Sequence, residues 1–75
     1  MLMTDHIHIF RTEIKTDKCL EQLSLALNEQ SRISRWHIDT KDIDNVLKVE
    51  SETLSEDTII ALVREKNIHC EALPD

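Results

Sequence analysis

Apolar positions along the chain fall into six runs, and the period of the runs switches between two residues and about 3.6. From His6 to Ile14 the pattern alternates, with His8, Phe10, Thr12 and Ile14 on one face and Ile7, Ile9, Arg11 and Glu13 on the other. That alternation predicts a strand, and apolar groups on both faces suit a central one, covered by helices on one side and only partly on the other. From Asp17 to about Gln30 the spacing becomes helical. Cys19, Leu20, Leu23, Ala26 and Leu27 form one stripe, while Glu21, Gln22 and Glu29 point away from it. Thr16 is the expected N-cap, and Asp17 suits the positive end of the helix dipole.

The second half repeats the alternation of periods. Ile33 to Asp39 reads as extended, with Trp36 and Ile38 sharing a face, and the polar turn Lys41-Asp42-Ile43-Asp44-Asn45 leads into Val46 to Glu50, with Leu47 and Val49 inward. Ser55, Glu56 and Asp57 start a second helix whose apolar face is Ile59, Ile60, Leu62 and Val63, ending near Lys66-Asn67. Ile68 to Leu73 gives a last short strand, stopped by Pro74. The order βαββαβ predicts an α+β, ferredoxin-like sandwich: a four-stranded antiparallel sheet with two helices on one face. Residues 1–75 form a single domain, with no linker, repeat or low-complexity tract.

Composition narrows what such a domain can do. Seventy-five residues bury about 60% of the unfolded surface, so stability is expected to be modest, and with Trp36 and Phe10 the only aromatics the core must be mainly aliphatic. A formal net charge of −6 argues against nucleic acid and anionic membranes, which need a basic patch. No apolar run reaches the roughly 20 residues of a membrane span, and residues 1–10 lack a signal-peptide pattern, so a cytoplasmic location with free Cys19 and Cys70 is expected. The chain has no glycine. Gly-rich phosphate loops and the serine elbow of hydrolases are thereby excluded, and Asn28, Asn45 and Asn67 become the expected left-handed positions.

In that order of elements the chain resembles the heavy-metal-associated domain family, which includes copper chaperones and the metal-binding modules of metal-transporting ATPases. Residues Phe10-Arg11-Thr12-Glu13-Ile14-Lys15-Thr16-Asp17-Lys18-Cys19 look like that family's first strand and metal loop, and Trp36-His37-Ile38-Asp39 like its second strand. Leu47-Lys48-Val49-Glu50 and Ile68-His69-Cys70-Glu71-Ala72 look like the third and last strands. The family motif Met-X-Cys-X-X-Cys falls on Ile14, Thr16 and Cys19. The resemblance implies handling of a soft metal ion such as Cu(I), but only one of the two thiolates is kept. A threonine hydroxyl is a poor ligand for Cu(I), and one thiolate cannot chelate, so the monomeric metal site is expected to be incomplete.

The residues themselves offer several sites. Cys19 lies in the first turn of the first helix, where the dipole and neighbouring Lys18 would lower its pKa. It reads either as a soft-metal ligand or redox-sensitive thiol, or as a small apolar residue that begins the core stripe. Cys70 reads as core. His6 and His8, two apart on one strand, face the same side as two metal ligands would, but no third ligand is nearby and ordinary polar residues fit as well. His37 and His69 are expected on the open sheet face. Asp39, Asp42, Asp44, Glu50, Glu52, Glu56 and Asp57 form a solvated acidic edge without calcium-site spacing. Ile7, Ile9 and Val46 are expected to make a small apolar patch on the open face beside Arg35, His37 and Lys48. Such a patch is either ordinary surface or a contact for a homodimer or a protein partner.

No nucleophile or base arrangement is recognisable and no cofactor-binding motif is present, so a non-enzymatic binding domain is expected. Its readings are a metallochaperone-type scaffold carrying an incomplete Cys19 site, a protein-interaction module that has lost the ion, and a thiol redox sensor at Cys19.

Overall fold

In the computed structural model, which describes residues 6–73 with the side chain of His6 left aside, the six runs become six elements. They are β1 (His6–Thr12), α1 (Asp17–Asn28), β2 (Ile33–Asp39), β3 (Val46–Ser51), α2 (Glu56–Arg64) and β4 (Cys70–Ala72). The four strands form one antiparallel sheet in the order β2-β3-β1-β4. This is the predicted ferredoxin-like βαββαβ topology, with β1 central as its two-sided apolar pattern requires. Pro74 and the pairing of His6 with His8 as ligands lie outside the described residues.

The helix-facing side of the sheet carries the core. Phe10, Leu47, Val49 and Cys70 from the strands pack with Leu23, Leu27, Ile59, Val63 and Ile68, all buried. Trp36 and Ile38 close the β2 edge of this cluster as partly buried groups. The opposite face bears the outward half of each alternation, so Ile7 and Ile9 are exposed.

The boundaries differ from the periodic reading where the backbone finds another partner. The alternation predicts β1 as far as Ile14, but the strand ends at Thr12. Beyond it the Glu13 N–H donates to the His69 carbonyl at 3.3 Å, and the Ile14 N–H donates to Asn45 Oδ1 at 2.9 Å. Helix α1 stops at Asn28 rather than Gln30, because the Gln30 N–H turns back to the Leu27 carbonyl in a tighter turn. β4 is confined to the three residues opposite Phe10–Thr12. Without glycine, left-handed backbone falls on Asn45 (φ 42°) and Asn67 (φ 61°), as expected. Asn28, expected to join them, does not. It stays helical in the last turn of α1, and its Oδ1 accepts the Trp36 indole N–H at 2.9 Å.

Candidate metal-handling loop

The connection between β1 and α1 spans residues 13–16 and delivers Thr16 and Cys19 to one end of the sandwich. Thr16 has the extended backbone of an N-cap (φ −142°, ψ 165°), and its Oγ1 accepts the Cys19 N–H at 3.1 Å. Thr16 thus spends its side chain on the helix. Cys19, three residues into the helix, is half-buried and free.

Its thiol pKa is lowered from the ordinary 9.0, first by hydrogen bonding to the Thr16 side chain, then by the Lys15 backbone, with smaller help from the Thr16 backbone and the Lys15 charge against a small desolvation penalty. The sequence pointed to Lys18 as the cation. The charge contribution comes from Lys15 instead and is the smallest of those acting on the thiol, the Lys15 amine lying 3.6 Å from Glu13, while Lys18 lines the groove with Cys19. Cys70 behaves in the opposite way: it is fully buried, and burial pushes its thiol up to about 11. It is core, as its place in the alternation predicted.

The loop is flanked by two depressions. A groove of about 500 Å³ lies between the start of α1 and the end of α2, lined by Thr16, Lys18, Cys19 and Gln22 on one side and Glu65, Lys66 and Asn67 on the other. A smaller one of about 180 Å³ is lined by Ile14, Lys15, Thr16, Asp17, Leu20 and Thr40. Thr16 borders both. The contribution of the α2 end was not foreseen; the left-handed Asn67, which turns the chain back beside α1, is the sequence signal that could have pointed to it.

Among the described residues, no group of three or more His, Cys, Asp or Glu side chains is placed to hold a metal ion. The donor set at the loop is therefore one sulfur, with the Thr16 hydroxyl already engaged, and it does not fit a chelated soft ion held by one chain alone.

The remaining candidates are dispersed. His37 and His69 are exposed, His69 lying 3.6 Å from Glu71. His8 is on the inward face, stacked on Phe10 with ring centroids 6.2 Å apart. The hairpin carboxylates support their own turn: Asp39 Oδ1 accepts the Lys41 N–H and Asp42 Oδ1 accepts the Asp44 N–H. Ile7 and Ile9 lie on the open face opposite Glu50 and Lys48, and Val46 lies opposite Arg11 and Asp39. The three apolar groups are interleaved with charges across the strands. Among the described residues no helix is long and apolar enough to cross a membrane.

Sheet order and crossovers define the ferredoxin-like class, and within it the fold is that of heavy-metal-associated domains. The copper(I)-loaded first domain of the human copper chaperone for SOD1 superimposes with a TM-score of 0.78 at 14% identity, over 92% of this chain and 93% of that one. The yeast copper transporter domain Ccc2a, solved in apo and Cu(I)-loaded states, gives 0.76 at 17% identity over 92% and 96%. The N-terminal domain of PacS from Synechocystis gives 0.77 at 11% identity over 92% and 98%. At these identities the likeness is one of fold. No protein-family model matches the chain, and no curated protein matches its sequence.

Proposed function

We propose that this is a non-enzymatic binding domain on a metallochaperone-type scaffold that takes up a soft ion, Cu(I) being the best fit, through Cys19. Its own site is incomplete, and a second sulfur comes from outside the chain, from another copy or from a partner's thiol. The observation that carries this reading is the placement of a thiol with lowered pKa in the first turn of α1, beside an open groove. Thiolate is the form that binds soft metal, so a lowered pKa increases the fraction ready at neutral pH. The fold shared with two domains solved with copper(I) supports the choice of metal. Cys70 is unsuited to join it, being buried and held as the neutral thiol.

The test is anaerobic Cu(I) titration against a competing chelator, comparing wild type with Cys19→Ser. Retention of Cu(I) by the wild type and its loss in the variant support the reading. Binding that persists in Cys19→Ser places the ion elsewhere and removes it.

A second reading, a protein-interaction module that has lost the ion, is favoured by the exposure of Ile7 (53%) and Ile9 (39%) on the open sheet face. Under it Ile9→Asp weakens self-association or partner capture without unfolding the domain. Unchanged association counts against the patch.

A further inference from the structure

Resting on the reading of Cys19 as the metal-facing group, we propose that Asn45, at the end of the β2–β3 hairpin, is a positioning residue for the Cys19 loop. It holds residues 13–16 from the side, so that Thr16 caps α1 and the sulfur sits at the groove.

The connection has few ways to be held. Its residues have left the β1 ladder, so each backbone N–H needs a new partner or water. The Glu13 N–H finds the His69 carbonyl on the β4 side. The Ile14 N–H finds Asn45 Oδ1 at 2.9 Å on the β3 side, a side-chain acceptor reaching in from a distant part of the chain. Asn45 grips the strand end as well: buried Thr12 donates its Oγ1–H to the Asn45 carbonyl at 2.7 Å, and the Thr12 N–H donates to the Asp44 carbonyl at 3.1 Å. The side chain is in turn oriented by its Nδ2, which donates to the Asp42 carbonyl at 2.9 Å.

Two requirements therefore meet at this position. The backbone is left-handed at φ 42°, which asparagine, aspartate and glycine tolerate. The side chain must also present an acceptor oxygen to Ile14. Glycine meets only the first requirement; aspartate keeps the acceptor but gives up the Nδ2 bond and turns a carboxylate oxygen on the Asp42 carbonyl.

The functional stretch comes directly after this anchor. Lys15 is exposed and Thr16 caps the helix through Cys19 N–H. The hairpin also walls this stretch, since Thr40 lines the smaller depression together with Ile14, Lys15 and Thr16. Releasing Ile14 would let the two residues that surround the sulfur move relative to α1, while leaving the core of Phe10, Leu47 and Val49 intact.

The test compares Asn45→Gly with Asn45→Asp in a Cys70→Ala background, reading two quantities that need no metal: amide hydrogen exchange at Ile14 and Cys19, and the rate at which iodoacetamide alkylates Cys19 at neutral pH. In N45G, with the native Trp36 fluorescence kept, exchange at both amides is expected to rise about tenfold or more. Alkylation is expected to slow about threefold or more, and N45D, which keeps the Ile14 acceptor but not the Nδ2 bond, falls between N45G and wild type on both. A folded N45G chain whose Cys19 amide and alkylation rate match or exceed wild type overturns the proposal. If N45G does not fold, a synthetic chain with an ester in place of the Ile14 amide removes the same hydrogen bond from the donor side, and exchange at the Cys19 amide together with the alkylation rate decides. Because neither reading uses Cu(I), a chain that binds no copper refutes the metal reading and leaves this comparison standing.

Discussion

The two thiols of this chain are separated chemically by where the fold puts them. Cys19 sits half-buried at a helix start with its pKa lowered, first by the Thr16 hydroxyl, and Cys70 sits in the core with its pKa raised to about 11 by burial. At neutral pH alkylation is therefore expected at Cys19 alone, with Cys70 modified only after unfolding; mass spectrometry of the alkylated native domain checks this, and equal labelling of both would contradict it. The two shifts also act on stability with opposite signs. A raised pKa means that the unfolded chain gives up the Cys70 proton first, near 9.0, while the folded domain keeps it to about 11. Within that window the Cys70 contribution is lost as pH rises, at up to about 1.4 kcal/mol per pH unit. Urea unfolding of wild type and Cys70→Ala between pH 8 and 11 should show curves that converge with rising pH. The depressed Cys19 value works the other way: its contribution is present above the ordinary thiol pKa and is lost as pH falls through the folded value.

Among the described residues, asparagine does the work of glycine at the left-handed positions Asn45 and Asn67. At Asn67, which carries no side-chain hydrogen bond among those described, Asn67→Gly should leave stability nearly unchanged, and Asn67→Ala should cost about 1 kcal/mol, measured by thermal unfolding. An equal cost for both would mean that the side chain, not the backbone, matters there. Within the elements, period and burial agree closely. Phe10, Leu23, Leu47, Val49, Ile59 and Val63 were all legible as inward positions, and all are fully buried. Leu47→Ala should accordingly cost about 2–5 kcal/mol. The caps Thr16 and Ser55 were legible too, because their hydroxyls sit where a helical period begins and each accepts the N–H three residues on. What the sequence hid were contacts between elements distant along the chain. Nothing local marks Asn28 as the Trp36 partner or Asn45 as the Ile14 acceptor. Those depend on how the hairpin and α1 pack.

At the scale of the molecule, the described residues form a scaffold with a half-buried thiol, Cys19, at the start of α1 and exposed Ile7 and Ile9 on the sheet face opposite the core. Arg11 ties part of that face together through Asp44 and Glu71 at 3.2 and 3.3 Å. Exposed pairs of this kind contribute at most about 1 kcal/mol, so the face gains little rigidity from them. Its fold matches that of domains solved with copper(I), and at the loop between β1 and α1 Thr16 caps the helix through the Cys19 N–H. The sharpest test is the stoichiometry of Cu(I) retained against a competing chelator under anaerobic conditions. The account predicts one ion per two chains when no other thiol is present, one per chain when an external thiol is supplied, and none in Cys19→Ser. Tight binding of one ion per chain without any added thiol, or binding that survives Cys19→Ser, would contradict it.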